Sequence, residues 1–340
     1  MARKQTGRQA APISSSIAIV GVSNFVGVRL ADTLAKDPKF GRRVIALDSR
    51  EPAFSSERVQ FLKVDLTQPT ADSTIAEILR SHNCDTVVHV SFFGQPTRDE
   101  SYAHELEVIG TMHVLNACAQ AGVRKIIIAS STAVYGASPR NPNFLTEEHP
   151  LSGSKNYRYI RDKIEVENLA KRFREAHPEI IMTVLRFAMI LGPTVENLAT
   201  QYFRRLFVPT LLGHDPLVQF LHEDDAVRAF RLAIEKNCSD AYNVVGKGVL
   251  PLSTVISLMG RVNLPLMHSF AYPIISGLWL LNAADAPGQH LDYIRYLWVA
   301  DGEKAKRELG FEPRYSTKEA AMGFAGAERL RRIHLAVPEP

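Results

Sequence analysis

The stretch "SIAIVGVSNFVGVRLADTL", residues 16–34, decides the reading of the fold. Its apolar run, Ile17 to Val20, ends at Gly21. A second glycine, Gly27, then opens a helical pattern marked by Val26, Leu30 and Leu34. A buried strand, a tight glycine turn and an amphipathic helix form the first half of a strand–helix–strand unit. Where a dinucleotide loop carries its middle glycine, this chain has Asn24. Asn is the non-glycine residue that best tolerates a left-handed backbone, so the substitution is expected to keep the turn.

The same alternation continues outward. Candidate strands cover 16–22, 43–48, 59–64, 85–91, 125–130 and 180–186, and helical stretches cover 25–36, 70–82, 101–121 and 155–175. The strands read as continuous apolar runs ("TVVHV", "KIIIAS", "MTVLRF"), as strands covered on both faces do. The pattern predicts an α/β fold with a doubly wound parallel sheet, the Rossmann arrangement. After about residue 190 the helices shorten and prolines scatter, which predicts a smaller C-terminal α/β substrate region. The expected divisions are a disordered leader over 1–14, a dinucleotide-binding domain over 15–190 and a mainly substrate-binding region over 191–335 that returns elements to the first.

Composition narrows the function classes. With 340 residues, 46% hydrophobic and 22% charged, the chain has the make-up of a soluble globular protein. The net charge of +4 comes without a dense basic stripe, which argues against a nucleic-acid partner. The polar start lacks the apolar stretch of a secretory signal, and Cys84, Cys118 and Cys238 lie far apart in apolar segments. Reduced core thiols in a cytoplasmic protein are expected. The apolar stretch 269–287 is short for a span and broken by Pro273 and Gly277, so no stable membrane insertion is expected. It reads first as a buried or lid helix, and second as a membrane-surface contact.

Two constellations carry chemistry. Asp48 ends the second strand 21 residues after Gly27. A carboxylate there accepts hydrogen bonds from a ribose 2′-hydroxyl and repels a 2′-phosphate, which selects NAD over NADP. Arg50 softens that preference. Phe25, Val26, Ser49, Asp65, Leu66, Val90 and Ser91, beside the loop and the strand ends, complete the expected NAD contacts, with Asp65 at the adenine edge. Further on, "RKIIIASSTAVYG" (124–136) sets hydroxyls where a buried strand ends. In "YRYIRDKIEVENLAKRF" (157–173), Tyr159 and Lys163 stand four apart on one helical face. A phenol with a pKa near ~10 is a poor base at neutral pH. A neighbouring ammonium and the positive nicotinamide ring both favour the phenolate and pull that value down. Tyr159 can then take a hydroxyl proton as hydride leaves the same carbon, with Ser131 holding the oxygen and Lys163 also binding the nicotinamide ribose.

These residues together resemble the extended short-chain dehydrogenase/reductase superfamily, and within it the NAD-dependent epimerase/dehydratase family. The resemblance runs from about residue 16 to 330. "VVHVS", "GTMHVLNACAQAGVRKIIIASSTAVYG" and "YIRDKIEVE" are followed in family order by "TVLRFAMILGP", "QFLHEDDAVRAF", "AYNVVG" and "KAKRELGFEPRYSTKEA". It implies Ser131, Tyr159 and Lys163 as the catalytic set, with Tyr159 and Lys163 also on the NAD, and a homodimer through the helices near 101–121 and 155–175. Four residues depart from the family pattern. Asn24 replaces the middle glycine, and Glu107 stands where an asparagine is usual. Thr132 and Ala133 replace the Asp–Glu pair of sugar dehydratases, which argues against water elimination. Met189 replaces an asparagine that contacts the diphosphate side of nucleotide-sugar substrates.

The reading that follows is an NAD-dependent oxidoreductase or epimerase acting on a secondary hydroxyl of a small molecule of the sugar or nucleotide-sugar type. The alternative is a dehydrogenase or reductase of an apolar, sterol-like alcohol or ketone. A non-catalytic NAD-binding protein ranks last, since Tyr159 and Lys163 are both present. The acidic cluster "HEDD" (222–225) precedes a helix and suits its N-terminal dipole better than a metal.

Overall fold

The computed structural model describes residues 15–336 except 53, 55, 93 and 154–156, with the backbone alone for 334–336. The proposed leader over 1–14 lies outside the described residues. The first half alternates strand and helix: β1 (Ser16–Val20), α1 (Phe25–Lys36), β2 (Val44–Asp48), β3 (Val59–Lys63), α2 (Ala71–Ser81) and β4 (Cys84–His89). Next come α3 (Glu100–His104), a five-residue π turn (Glu105–Ile109) and α4 (Gly110–Ala121), where one helix over 101–121 was expected. β5 (Lys125–Ser131), α5 (Arg158–Ala176) and β6 (Ile181–Phe187) complete this half. The helix expected from 155 starts at Arg158 in the described residues, with Tyr157 as its N-cap.

The rest comprises β7 (Met189–Leu191), α6 (Leu198–Arg204), β8 (Phe207–Leu211), β9 (Leu217–Val218), β10 (Phe220–His222), α7 (Glu223–Glu235) and β11 (Ala241–Val244). After these come β12 (Leu250–Pro251), α8 (Leu252–Leu258), β13 (Val262–Leu266), α9 (His268–Leu280) and α10 (Thr317–Ala336).

The main sheet has seven strands in the order β11-β6-β5-β4-β1-β2-β3, and every neighbouring pair is parallel. Strand order reverses between β1 and β4, and ligands of doubly wound sheets sit beyond the strand ends at such a point. The side-chain alternation of each strand feeds two cores. Ile17, Ile19, Val44 and Ala46 meet Leu30 and Leu34 of α1 and Phe230 of α7 on one face. Ala18, Val20, Ile45 and Leu47 meet Ile75, Val114 and Val166 on the other. Both faces of the sheet are dry, and the strands therefore show no polar alternation.

Lys125 is buried in the sheet, and its ammonium donates to the carbonyls of Ala233, Ile234 and Lys236 at 3.3, 2.7 and 2.7 Å. A cation at the C-terminal end of α7 meets both its unpaired carbonyls and its dipole. Together with β11, this contact fixes the later chain to the sheet. A third core, including Phe203, Phe220, Ile256 and Phe324, holds the region beyond β7 together.

The stretch 269–287 departs from one half of its first reading, that of a buried helix. Most of α9 is exposed or half-buried, with Ala271 its one buried residue. Apolar composition alone argued for burial, but no element covers its outer side in the described residues. Of the thiols, Cys84 and Cys118 are buried and Cys238 is half-buried, all three unpaired.

Candidate active site

The glycine loop is held by close backbone packing. Gly21 has φ +100°, and a Cβ there would lie 2.5 Å from the Ser91 nitrogen. A Cβ on Gly27 would lie 2.3 Å from the Gly21 carbonyl oxygen. Neither position admits a side chain, because the obstacle in each case is backbone.

Asn24 works differently from the expectation. Its φ of −83° and ψ of 162° are extended, not left-handed. It is the N-cap of α1, its Oδ1 accepting from the Gly27 N–H at 2.8 Å, while its Nδ2 donates to the Val90 carbonyl at the end of β4. An N-cap needs an extended backbone and a short acceptor side chain. Asn supplies both, and it adds a clamp between the loop and the neighbouring strand that glycine cannot make. Asp48, at the end of β2, accepts from the Ser23 N–H at 2.8 Å through Oδ2. Asp65 accepts from the Thr67 N–H and hydroxyl at 3.0 and 2.8 Å, and the bond from the Thr67 amide is the main reason its pKa lies below the usual carboxylate range.

The remaining residues singled out in the sequence converge on two adjoining spaces. A cavity of about 510 Å³ is lined by Asn24, Phe25, Val26, Val90, Ser131, Tyr159 and Lys163. A narrow cleft next along the strand ends is lined by Gly21, Asp48, Ser49, Asp65, Leu66 and Ser91. Gly27 packs behind the loop. A glycine turn that excludes any Cβ, the free end of α1 and a carboxylate at the end of β2 are the features that fit an NAD pyrophosphate and adenosine ribose.

Ser131 ends β5, and its Oγ accepts from the Ala133 N–H at 3.2 Å. One helical turn separates Tyr159 from Lys163 on α5, and the Lys163 ammonium lies 4.5 Å from the centre of the Tyr159 ring. The same ammonium donates to both oxygens of Glu107 at 3.3 and 3.4 Å. Glu107 and Lys163 are both buried. The π turn sets this contact, because its extra residue re-phases the helix around Glu107. A pairing of this kind was not foreseen from the sequence, where Glu107 was noted only as a departure from the family pattern.

The electrostatics differ from the simple phenol–lysine picture. Burial raises the Tyr159 pKa, Lys163 lowers it and Glu107 raises it again, leaving it above the ordinary phenol value. For Lys163, burial is the largest influence and works downward, but Glu107, Tyr159 and Asp162 together outweigh it and the pKa rises. Lys163 is thus held as a cation whose charge Glu107 largely answers, and Tyr159 stays protonated. The downward pull of Lys163 is present, and burial together with Glu107 outweighs it.

Other features escaped the sequence reading. Tyr293 donates from its hydroxyl to the Ala133 carbonyl at 2.8 Å, and the Trp298 indole donates to the Tyr293 carbonyl at 2.9 Å. The Tyr157 hydroxyl pairs with His290 Nδ1 at 3.1 Å. Burial holds the His290 pKa at about 4, so its imidazole is neutral near pH 7. The aromatic density of "HLDYIRYLW", 290–298, was the available signal. Thr132 is buried with its hydroxyl directed to the Phe187 carbonyl at 3.5 Å. In the 222–225 cluster, Glu223 accepts from Arg29 and Thr194, and Asp225 accepts from the N–H groups of Arg314 and Tyr315.

A seven-stranded parallel sheet with a glycine loop at its switch point, and a Ser–Tyr–Lys set beside that loop, define an enzyme of the extended short-chain dehydrogenase/reductase class. Residues 17–245 match the NAD dependent epimerase/dehydratase family, and the chain belongs to that family and is NAD-dependent. An uncharacterised protein of Mycobacterium tuberculosis is 30% identical over 318 residues, covering 89% of this chain and 81% of that one. A UDP-glucose 4-epimerase of Yersinia enterocolitica is 30% identical over 189 residues, 52% of this chain and 54% of its own. The crystal structure of UDP-glucose 4-epimerase from Thermotoga maritima, with UDP-glucose, superposes with a TM-score of 0.72 at 20% identity. That match covers 93% of this chain and 99% of the other.

Proposed function

We propose that the protein is an epimerase that oxidises and re-reduces a secondary hydroxyl of a sugar carried on a nucleotide. The observation that carries this reading is the meeting of Ser131, Tyr159 and Lys163 in one cavity with the glycine loop. The substrate class is supported by two relatives named UDP-glucose 4-epimerase and UDP-glucuronate 4-epimerase.

Gly21, Asn24 and Gly27 hold the pyrophosphate side of NAD, and Asp48 the adenosine ribose. Bound NAD supplies the hydride acceptor and donor for the reacting carbon. Ser131 Oγ hydrogen-bonds the substrate oxygen. Tyr159, its phenolate favoured by Lys163 and by the positive nicotinamide ring of bound NAD, takes the hydroxyl proton at its oxygen and returns it after the keto intermediate has turned over in the cavity. Lys163 orients the nicotinamide ribose and steadies the phenolate, and Glu107 keeps that lysine charged and in place. Thr132 and Ala133 offer no acid–base pair for elimination, so the reaction stops at epimerisation.

Residues 15–190 carry the cofactor and the catalytic groups, and 191–335 mainly shape the substrate side. The protein acts in the cytoplasm as a homodimer through the helices α3–α4 and α5, an arrangement that sedimentation velocity tests directly. No helix among the described residues is long and apolar enough to cross a membrane.

A second reading has its own observation. Away from the loop, the cavity wall is apolar, with Ile275, Leu291, Ile294 and Trp298, and its Arg205 is paired with Asp285. That wall suits a dehydrogenase of an apolar alcohol. To separate the two, the protein is purified without added nucleotide and denatured to identify what it releases, then offered UDP-glucose and UDP-galactose. Near-stoichiometric NAD and interconversion of the two sugars, lost by about 10²-fold or more in Tyr159→Phe, support the epimerase. An empty protein that reduces added NAD only with apolar alcohols overturns it.

A further inference from the structure

One face of the molecule, beside the active-site cavity, is apolar and uncharged. No Asp, Glu, Lys or Arg occurs over 262–284. Strand β13 pairs in parallel with β8, with Val262 opposite Phe207 and Leu264 opposite Pro209. Paired residues share one side of a ribbon, and Phe207, Val262 and Leu264 form an exposed apolar surface there, while Pro209 also lines the cavity.

Helix α9 begins two residues after β13 ends and continues the surface. Met267, Phe270, Ile274 and Leu281 recur at steps of three, four and seven, which is one helical stripe. They are 57, 61, 56 and 77% exposed. The inner side of the helix carries the buried Ala271 and places Ile275 in the cavity wall.

The rim of this face is cationic. Arg98 stacks on Trp279 at 4.1 Å and donates to the Trp279 and Ala284 carbonyls. Arg261 donates to the Phe203 carbonyl at 2.8 Å, and Arg332 to that of Arg204 at 3.4 Å. Guanidiniums held by carbonyls keep their whole charge, and Arg329 and Arg332 repel Arg261 enough to help lower its pKa, after burial. The neighbouring Glu328 is already paired with Arg204 and Arg331.

We propose that this face seats the protein on an anionic phospholipid bilayer, with α9 lying in the headgroup layer and the arginines against the phosphates. An apolar stripe with a cationic border is what an interfacial helix needs. At thirteen residues, with Pro273 inside, α9 rests on a membrane and does not cross it. A second copy is a poorer occupant. Pro265 on β13 and Pro209 on β8 remove donors from any added strand, and a two-fold contact would present the same arginine rim to itself.

The test uses the full chain and needs no substrate. The protein is sedimented with vesicles of equal parts phosphatidylglycerol and phosphatidylcholine, and with phosphatidylcholine alone. The wild type should favour the anionic vesicles and come off with salt. Two double variants, Phe270→Asn with Ile274→Asn and Arg329→Ser with Arg332→Ser, should each weaken that binding by about tenfold or more. All four side chains are exposed, so the variants test the surface and not the fold. Failure of the wild type to sediment with anionic vesicles overturns the proposal. So does equal binding by both double variants, or a dimer that falls apart when Phe270 and Ile274 are replaced.

Discussion

Replacing Glu107 with Gln removes one charge from the pair that governs Tyr159. The carboxylate lies 3.3 and 3.4 Å from the Lys163 ammonium, and that ammonium lies 4.5 Å from the centre of the Tyr159 ring. A unit charge near that distance is worth about 1 kcal/mol in water and about 4 kcal/mol at an effective dielectric of ~20. These values bracket the pull of Lys163 on a phenolate. Glu107 opposes part of that pull, so its loss should lower the Tyr159 titration by about one pH unit, or ~1.4 kcal/mol. More phenolate is then present at a given pH, and the acid limb of the oxidation rate moves to lower pH.

The assay is an ultraviolet difference titration of tyrosinate between each protein and its Tyr159→Phe counterpart, followed by the pH dependence of kcat/KM. A Tyr159 titration that stays in place or rises refutes the reasoning. The change has a stability cost as well. Leaving a buried charge without its partner costs about 3–5 kcal/mol, and the Gln carbonyl, still an acceptor for Lys163, should hold the loss below that. The folded pKa of Lys163 is raised. Its pairing therefore stabilises fully below the unfolded value near ~10.4 and is lost as pH rises through the folded one. The stability gap between wild type and Glu107→Gln should be constant through neutral pH and close only in strong alkali.

Gly27→Ala should lower NAD affinity by at least about a hundredfold, ~2.7 kcal/mol, because its Cβ meets the Gly21 carbonyl. Unchanged affinity by calorimetry contradicts this. Asn24→Ala removes the cap of α1 and should cost about 1 kcal/mol in urea unfolding; no loss would mean that the cap contributes nothing. Glu167 holds the buried Arg186 through bonds of 2.6–3.0 Å. Glu167→Ala should cost about 3–5 kcal/mol by the same measurement, and a loss under about 1 kcal/mol would show that water or Ser130 replaces the carboxylate.

The sheet was legible because both of its faces are buried, so that runs such as Ile126–Ile128 carry no polar residue to confuse the reading. Gly21 and Gly27 were legible because backbone contact at those points tolerates no other residue. The Tyr159–Lys163 pair followed from helical spacing. The role of Asn24 was not, since a left-handed turn and an N-cap both favour asparagine, and only the backbone angles distinguish them. The π turn left the apolar pattern of 101–121 nearly intact, so its effect on Glu107 was invisible. Whether an apolar segment is covered depends on what packs against it, and for α9 composition could not tell a buried helix from a lid. Tyr293 and His290 reach the site from more than 130 residues beyond Tyr157, a juxtaposition that no local pattern records.

The π turn at Glu105–Ile109 has a consequence for how such an enzyme can evolve. It is an α-helix with one residue too many, its Gly110 N–H reaching back five residues to Glu105. Deleting a single codon within it would restore an unbroken helix and turn the residues on one side by about 100° relative to those on the other. Glu107 would then swing away from Lys163 while Tyr159, Ser131 and the glycine loop kept their sequence. The electrostatic surroundings of Tyr159 can thus be reset by one in-frame deletion that leaves Ser131, Tyr159 and Lys163 unchanged, in a single genetic step.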